Sequence, residues 1–122
     1  MADRMMFIGW GAPIAGREER GMEVFDAAVG FYGRCQQEGR IEAFDVRLLQ
    51  PHGGGLQGYF ELHGSAEQLA TLREDMEFRR IMIDASLIVA ELGVVDGMAD
   101  AAVAEEMGMY REAIAKVPQA TT

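Results

Sequence analysis

Asp45, Arg47, Tyr59, Glu61 and His63 are the residues of this chain whose types and spacing come closest to a reactive group. They stand at alternate positions of two segments, 41–50 (IEAFDVRLLQ) and 56–63 (LQGYFELH). Each segment alternates apolar and polar residues, the pattern of a strand with one buried face. Pro51, His52 and the glycines at 53, 54 and 55 lie between them, so an antiparallel hairpin is expected. With those three glycines as the loop, Arg47 pairs with Glu61 and Asp45 with His63, while Val46 faces Leu62 and Leu48 faces Phe60. A register two residues away sets Asp45 against Glu61, a repulsive pair, so charge complementarity favours the first. The polar set then lies on the sheet face away from the helices. A carboxylate beside an imidazole orients it and stabilises its protonated form, which makes Asp45 and His63 a candidate acid/base pair. The plainer reading is a structural ion-pair cluster, since such clusters arise without any chemistry.

Other residues invite chemistry less. Trp10 ends the apolar segment 5–10 (MMFIGW), beside a glycine-rich stretch, where it either roofs a pocket or joins the core. Gly9-Trp10-Gly11 begins like a dinucleotide-binding fingerprint, but Ile14 stands where the third glycine belongs. The glycine run at 53–55 lacks the following Lys-Ser or Lys-Thr of a phosphate-binding loop. His52 and His63 form no metal-ligand spacing with each other or with a cysteine, so no metal and no cofactor are expected. His52, in the turn, should be solvated. Cys35 is the single cysteine, which excludes an intramolecular disulfide. It falls on an apolar helical stripe, where a thiol acts as a small hydrophobe.

Charge narrows the partners. Asp and Glu number 20 against 11 Lys and Arg, a net charge of -9. That balance repels a phosphate backbone, and Arg79-Arg80 is the only adjacent basic pair, so nucleic acid is not an expected partner. The segment 5–10 is too short for a secretory signal, and no apolar run is long enough for a membrane span. A cytoplasmic protein without membrane partners is expected.

These residues must be positioned by a fold, and the hydrophobic segments run strand, helix, strand, strand, helix, strand, helix. A first helix over 17–38 carries Val24, Phe25, Ala28, Phe31, Tyr32 and Cys35 on one face. Ser65 opens the next as an N-cap, with Gln68 completing a capping box and Leu69, Leu72 and Met76 as the buried stripe. A further helical region, 77–85, carries Phe78, Ile81 and Met82. Residues 87–95 (LIVAELGVV) read as a strand ended by Asp96-Gly97. Residues 1–122 form a single domain, with a core at 5–95 and a C-terminal helix at 98–117. The class is α+β: a ferredoxin-like βαββαβ unit with a four-stranded antiparallel sheet and helices on one face. In the last helix Val103, Met107, Tyr110, Ile114 and Val117 make one narrow apolar seam. Two helices already cover the sheet, so packing at or near a dimer interface is favoured for this seam.

The order of elements, with 64–69 (GSAEQL), Glu77-Phe78-Arg79-Arg80 and Gly93-Val94-Val95, resembles the dimeric α+β barrel superfamily, and small bacterial members of unassigned function in particular. The resemblance spans about 5–95. It implies two sheets packed face to face across a twofold axis, hence a homodimer. The superfamily includes haem-degrading monooxygenases, cofactor-free quinone-forming monooxygenases, muconolactone isomerases and stress-response proteins. Its haem-degrading members carry a histidine ligand on the second helix, and residues 65–85 contain none here. Two functions are therefore weighed. One is a homodimer that binds a small apolar or aromatic molecule or is purely structural. The other is a cofactor-independent monooxygenase or isomerase acting on an aromatic or polyketide-like substrate. A pocket lined by aromatic side chains between sheet and helices favours the second, and a filled core the first.

Overall fold

Phe60 and Leu62 are buried, while Tyr59, Glu61 and His63 between and beside them are only half-buried. That alternation orients a sheet, because successive side chains of a strand point to opposite faces. A computed structural model describes residues 2–120. Its elements are β1 (Arg4–Trp10), α1 (Glu18–Gln37), β2 (Ala43–Leu48), β3 (Gly58–Gly64), α2 (Ala66–Glu74), α3 (Met76–Ser86), β4 (Gly93–Met98) and α4 (Ala101–Ile114). The strands form one sheet in the order β2-β3-β1-β4, with every neighbouring pair antiparallel. This is the ferredoxin-like α+β arrangement expected from the order of segments.

One face of the sheet carries the core. Met6 and Ile8 of β1 and Phe60 and Leu62 of β3 pack against Phe31, Tyr32 and Cys35 of α1, Leu69 and Leu72 of α2, and Phe78 and Ile81 of α3. Burying each large side chain contributes about 1.5–3 kcal/mol before ordering costs. Cys35 is fully buried, and burial, the largest influence on it, raises its thiol pKa. It is a core residue and not an activated nucleophile.

The capping box at Ser65 and Gln68 forms, with the Gln68 amide on Ser65 Oγ at 3.0 Å. The helix it opens stops sooner than the stripe suggested. Asp75 takes an extended conformation and accepts the Phe78 amide at 3.0 Å, which starts α3 on a new axis. Met76 leaves the buried stripe as a result and is 57% exposed. Partial burial pushes the Asp75 carboxyl upward, but the Phe78 amide and the Arg40 guanidinium, 2.5 Å away, outweigh it and hold its pKa below the ordinary value.

Two strand expectations need correction. The last strand does not run over 87–95. Ile88 and Ala90 instead bond to the loop after β1, through Ile14 N to Ile88 O at 2.9 Å and Ala90 N to Ala12 O at 2.8 Å. Glu91, at φ 56°, then turns the chain, and β4 starts at Gly93 opposite Gly9. Asp96-Gly97 is no terminator but the middle of β4. Asp96 is held by Arg73 at 3.1 Å, and Gly97 sits so close to Met5 that an added Cβ would stand 3.0 Å from its sulfur.

The hairpin register is the second correction. Asp45 pairs with Glu61, Arg47 with Tyr59, Val46 with Phe60, Phe44 with Leu62 and Leu48 with Gly58. This is the register that cross-strand charge disfavoured. Leu49 N also bonds to Gln57 O at 2.9 Å, so the loop is longer than the three glycines. The Trp10 ring of β1 lies over Gly58, where a Cβ would come within 2.6 Å of Trp10 Cζ2 and 2.8 Å of the Arg47 carbonyl, so glycine lets both neighbouring strands approach there. His52 is exposed, but its ring is bonded to the Leu56 carbonyl at 2.7 Å and shapes the loop.

Candidate functional site

The candidate residues fall on opposite faces of the sheet. Trp10 belongs to the helix-covered face. Asp45, Arg47, Tyr59, Glu61 and His63 share the open face with Met5 and Phe7 of β1 and Val95 of β4.

On the open face, Asp45 and His63 meet diagonally and not as a direct cross-strand pair. His63 Nε2 donates to Asp45 Oδ2 at 3.0 Å and lies 3.8 Å from Glu61 Oε1. Arg47 approaches the other Asp45 oxygen at 3.6 Å. The unfavourable Asp45–Glu61 pairing is thus offset by cationic and donor groups on both sides of it. Tyr59 stacks on Phe7 with ring centroids 4.9 Å apart. The cluster is half solvated and lies outside the lining of the cavity on the covered face. Among the described residues no group of three or more metal-ligating side chains comes together.

The covered face holds a cavity. It has a volume of about 260 Å³ and lies between the sheet and helices α1 and α3. Trp10, Phe25, Tyr32 and Phe60 form an aromatic wall, with Trp10 to Phe60 at 5.3 Å, Phe25 to Phe60 at 5.6 Å and Tyr32 to Phe60 at 5.0 Å. Ile81 and Ile88 close the opposite side. Exposed Glu18, Met22 and Leu48 stand at the rim. Tyr32 is completely buried and its hydroxyl has no hydrogen-bond partner among the described residues. Burial drives its pKa far upward, so the phenol is neutral at any ordinary pH.

Sequence reasoning assigned Phe25, Tyr32 and Ile81 to the core and did not foresee the space between them. A signal was present. Gly21, Ala28 and Ala85 put small residues on the inward faces of α1 and α3, where a full core would carry larger ones. The Leu87–Leu92 stretch, read as strand, supplies Ile88, Val89 and Leu92 to the same cavity.

Neither a protein-family model nor a curated protein sequence matches the chain. Solved structures match its fold. A dimeric ferredoxin-like protein of unknown function from Jannaschia sp. superposes with a TM-score of 0.61 at 13% identity, covering 77% of this chain and 97% of its own. A hydroxynitrile lyase from Passiflora edulis gives 0.63 at 9% identity, covering 83% and 97%. A cofactor-independent oxygenase from Streptomyces nogalater gives 0.50 at 14% identity, covering 82% and 94%. Identities this low speak for fold and not for activity. By its strand order, its one-sided helical layer and these likenesses, the chain has a ferredoxin-like fold.

Proposed function

We propose that this protein is a homodimer that binds a small, ring-containing, largely apolar molecule between its sheet and helices α1 and α3. The observation that carries the reading is the aromatic-walled cavity. Ligand sites are concave, mostly apolar and lined by aromatic side chains, and they usually enclose about 300–1,000 Å³. The volume here, about 260 Å³, lies just below that range and suits a compact ring system better than an extended chain. The dimer would form through the open sheet faces, as the resemblance implies. No helix among the described residues is long and apolar enough to cross a membrane, in keeping with a cytoplasmic setting.

A catalytic version of this reading uses the same cavity. The aromatic lining and the likeness to an oxygenase described as cofactor-independent favour it. Its acid/base group would not be Asp45 and His63, which lie across the sheet from the cavity. The polar side chains lining it are the neutral Tyr32 phenol, the Trp10 indole, Gln57 and, at the rim, Glu18.

Trp10 is the sole tryptophan and forms part of the wall, so its fluorescence reports directly on occupancy. Titration with 1-naphthol should quench it with a dissociation constant of about 1–100 μM. Ala28→Phe, which places a ring in the cavity, should abolish the quenching while keeping the fold. Quenching that persists unchanged in that variant, or none in the parent, would overturn the binding reading.

A further inference from the structure

Helix α4 is the most conspicuous surface that the ligand reading leaves unused. Nine of its 14 residues are apolar, yet only Ala102 is buried. The helix ends at Ile114, short of the expected 117; Val103, Met107, Tyr110 and Ile114 of the seam, and Val117 beyond its end, are all exposed, by 38–60%. The chain leaves the sheet at its edge strand: Ala99 N is tied to Asp3 O at 3.0 Å, Asp100 turns at φ 50°, and α4 begins. The covered face of its own sheet is already occupied by α1, α2 and α3. A seam of this regularity is a packing surface without its partner.

We infer that α4 is an arm for a second copy of this chain, its seam lying on the partner and extending an interface made by the open sheet faces. The inference rests on the homodimer proposed above. Area argues for this occupant. Four strands of about six residues present a face of roughly 20 by 20 Å, or about 400 Å². A standard interface buries about 800 Å² per partner. The seam side of a 14-residue helix, about 21 Å long and 10 Å wide, covers roughly 200 Å². Each protomer would give one such arm and receive one, which adds roughly 400 Å² and brings the total to the standard size. The two surfaces are also alike in character. Met5, Phe7, Tyr59 and Val95 give the open face an apolar and aromatic side, and β4, from which the arm springs, borders it. The fold relatives are matched over nearly their whole lengths while leaving about a fifth of this chain uncovered, comparable in size to residues 99–122.

Sedimentation equilibrium on the full chain tests this. The parent should be a dimer at micromolar concentration, and Phe7→Glu on the open face should dissociate it. The double variant Met107→Glu/Tyr110→Glu leaves the domain's core untouched and should raise the dimer dissociation constant on the order of 100-fold, with the far-ultraviolet circular dichroism unchanged. A benzophenone side chain at position 107 should yield a covalent dimer on irradiation. A dissociation constant within about threefold of the parent, or photoproducts formed only within one chain, would overturn the arm. If those results came with dissociation by Phe7→Glu, the homodimer would stand and the arm alone would fall. A parent that is monomeric at 100 μM would remove the homodimer and the arm together.

Discussion

The two faces of the sheet are built from alternate residues of the same strands and end up with opposite physics. On β3, Phe60 and Leu62 are sealed under three helices, while Tyr59, Glu61 and His63 form a half-solvated cluster with Asp45 and Arg47. The covered face excludes charge, and where small residues on α1 and α3 fail to fill it, an aromatic-walled space remains. The open face gathers ionisable groups, outside the lining of that space. On the proposed reading, titratable residues do not mark the ligand's place. Concavity marks it, because a small apolar molecule gains most where it is removed from water on several sides.

Substitution within β3 should show the contrast most strongly. Phe60→Ala removes a ring that touches Trp10, Phe25 and Tyr32 and should cost about 3–5 kcal/mol in urea unfolding. Glu61→Ala, one residue on, should change stability by less than about 0.5 kcal/mol. Equal losses at the two positions would erase the distinction between the faces. Gly58→Ala comes next. Its Cβ would meet the Trp10 ring and the Arg47 carbonyl, and the expected cost is about 1–3 kcal/mol with a shift in Trp10 emission. A neutral effect would show that the close contacts at Gly58 relax without cost.

Asp75 sharpens the comparison through pH. Its carboxylate caps α3 and binds Arg40, so Asp75→Ala should cost about 1 kcal/mol near neutrality. Its folded pKa is depressed. The contribution is therefore complete above the unfolded value, near 3.8, and is lost as pH falls through the lower folded value. The stability difference between Asp75→Ala and the parent should hold steady from pH 7 to pH 5 and shrink below pH 4. A difference that stays constant into strong acid would mean that charge plays no part in the cap. The smallest effect belongs to the open face. A double-mutant cycle on Asp45 and His63 should return a coupling below about 1 kcal/mol, reduced by salt, because both groups remain in contact with water.

Period and punctuation made the fold readable from sequence. Alternation at 43–48 and 58–64, the apolar stripe of α1 and the Ser65–Gln68 box each encode a local structure that tertiary packing leaves intact. The errors arose where a distant contact overrides a local rule. Direct charge pairing chose one hairpin register, but the observed one places Asp45 opposite Glu61 and brings His63 and Arg47 to Asp45 from neighbouring positions. Asp96-Gly97 has the composition of a turn, but pairing with Met5 and Met6 keeps it in β4. The apolar run at 87–92 has the composition of a strand, but it wraps the cavity. Of the candidate site, the open-face cluster was legible because parity alone assembles it. The cavity was hidden because it is a volume left between three elements, and sequence patterns describe surfaces more directly than the gaps between them.

Methyl NMR of the full chain separates the two faces in one measurement, read under two perturbations. Addition of 1-naphthol should shift the methyl signals of Met22, Ile81, Met82 and Ile88, which line the cavity, and leave those of Met5 and Val95 in place. Dilution through the dimer dissociation constant should do the reverse, moving Met5, Val95 and the α4 methyls while Ile81 and Ile88 stay fixed. Shifts at Met5 and Val95 on adding 1-naphthol, with Ile81 and Ile88 unmoved, would contradict the assignment of ligand to the covered face and partner to the open one.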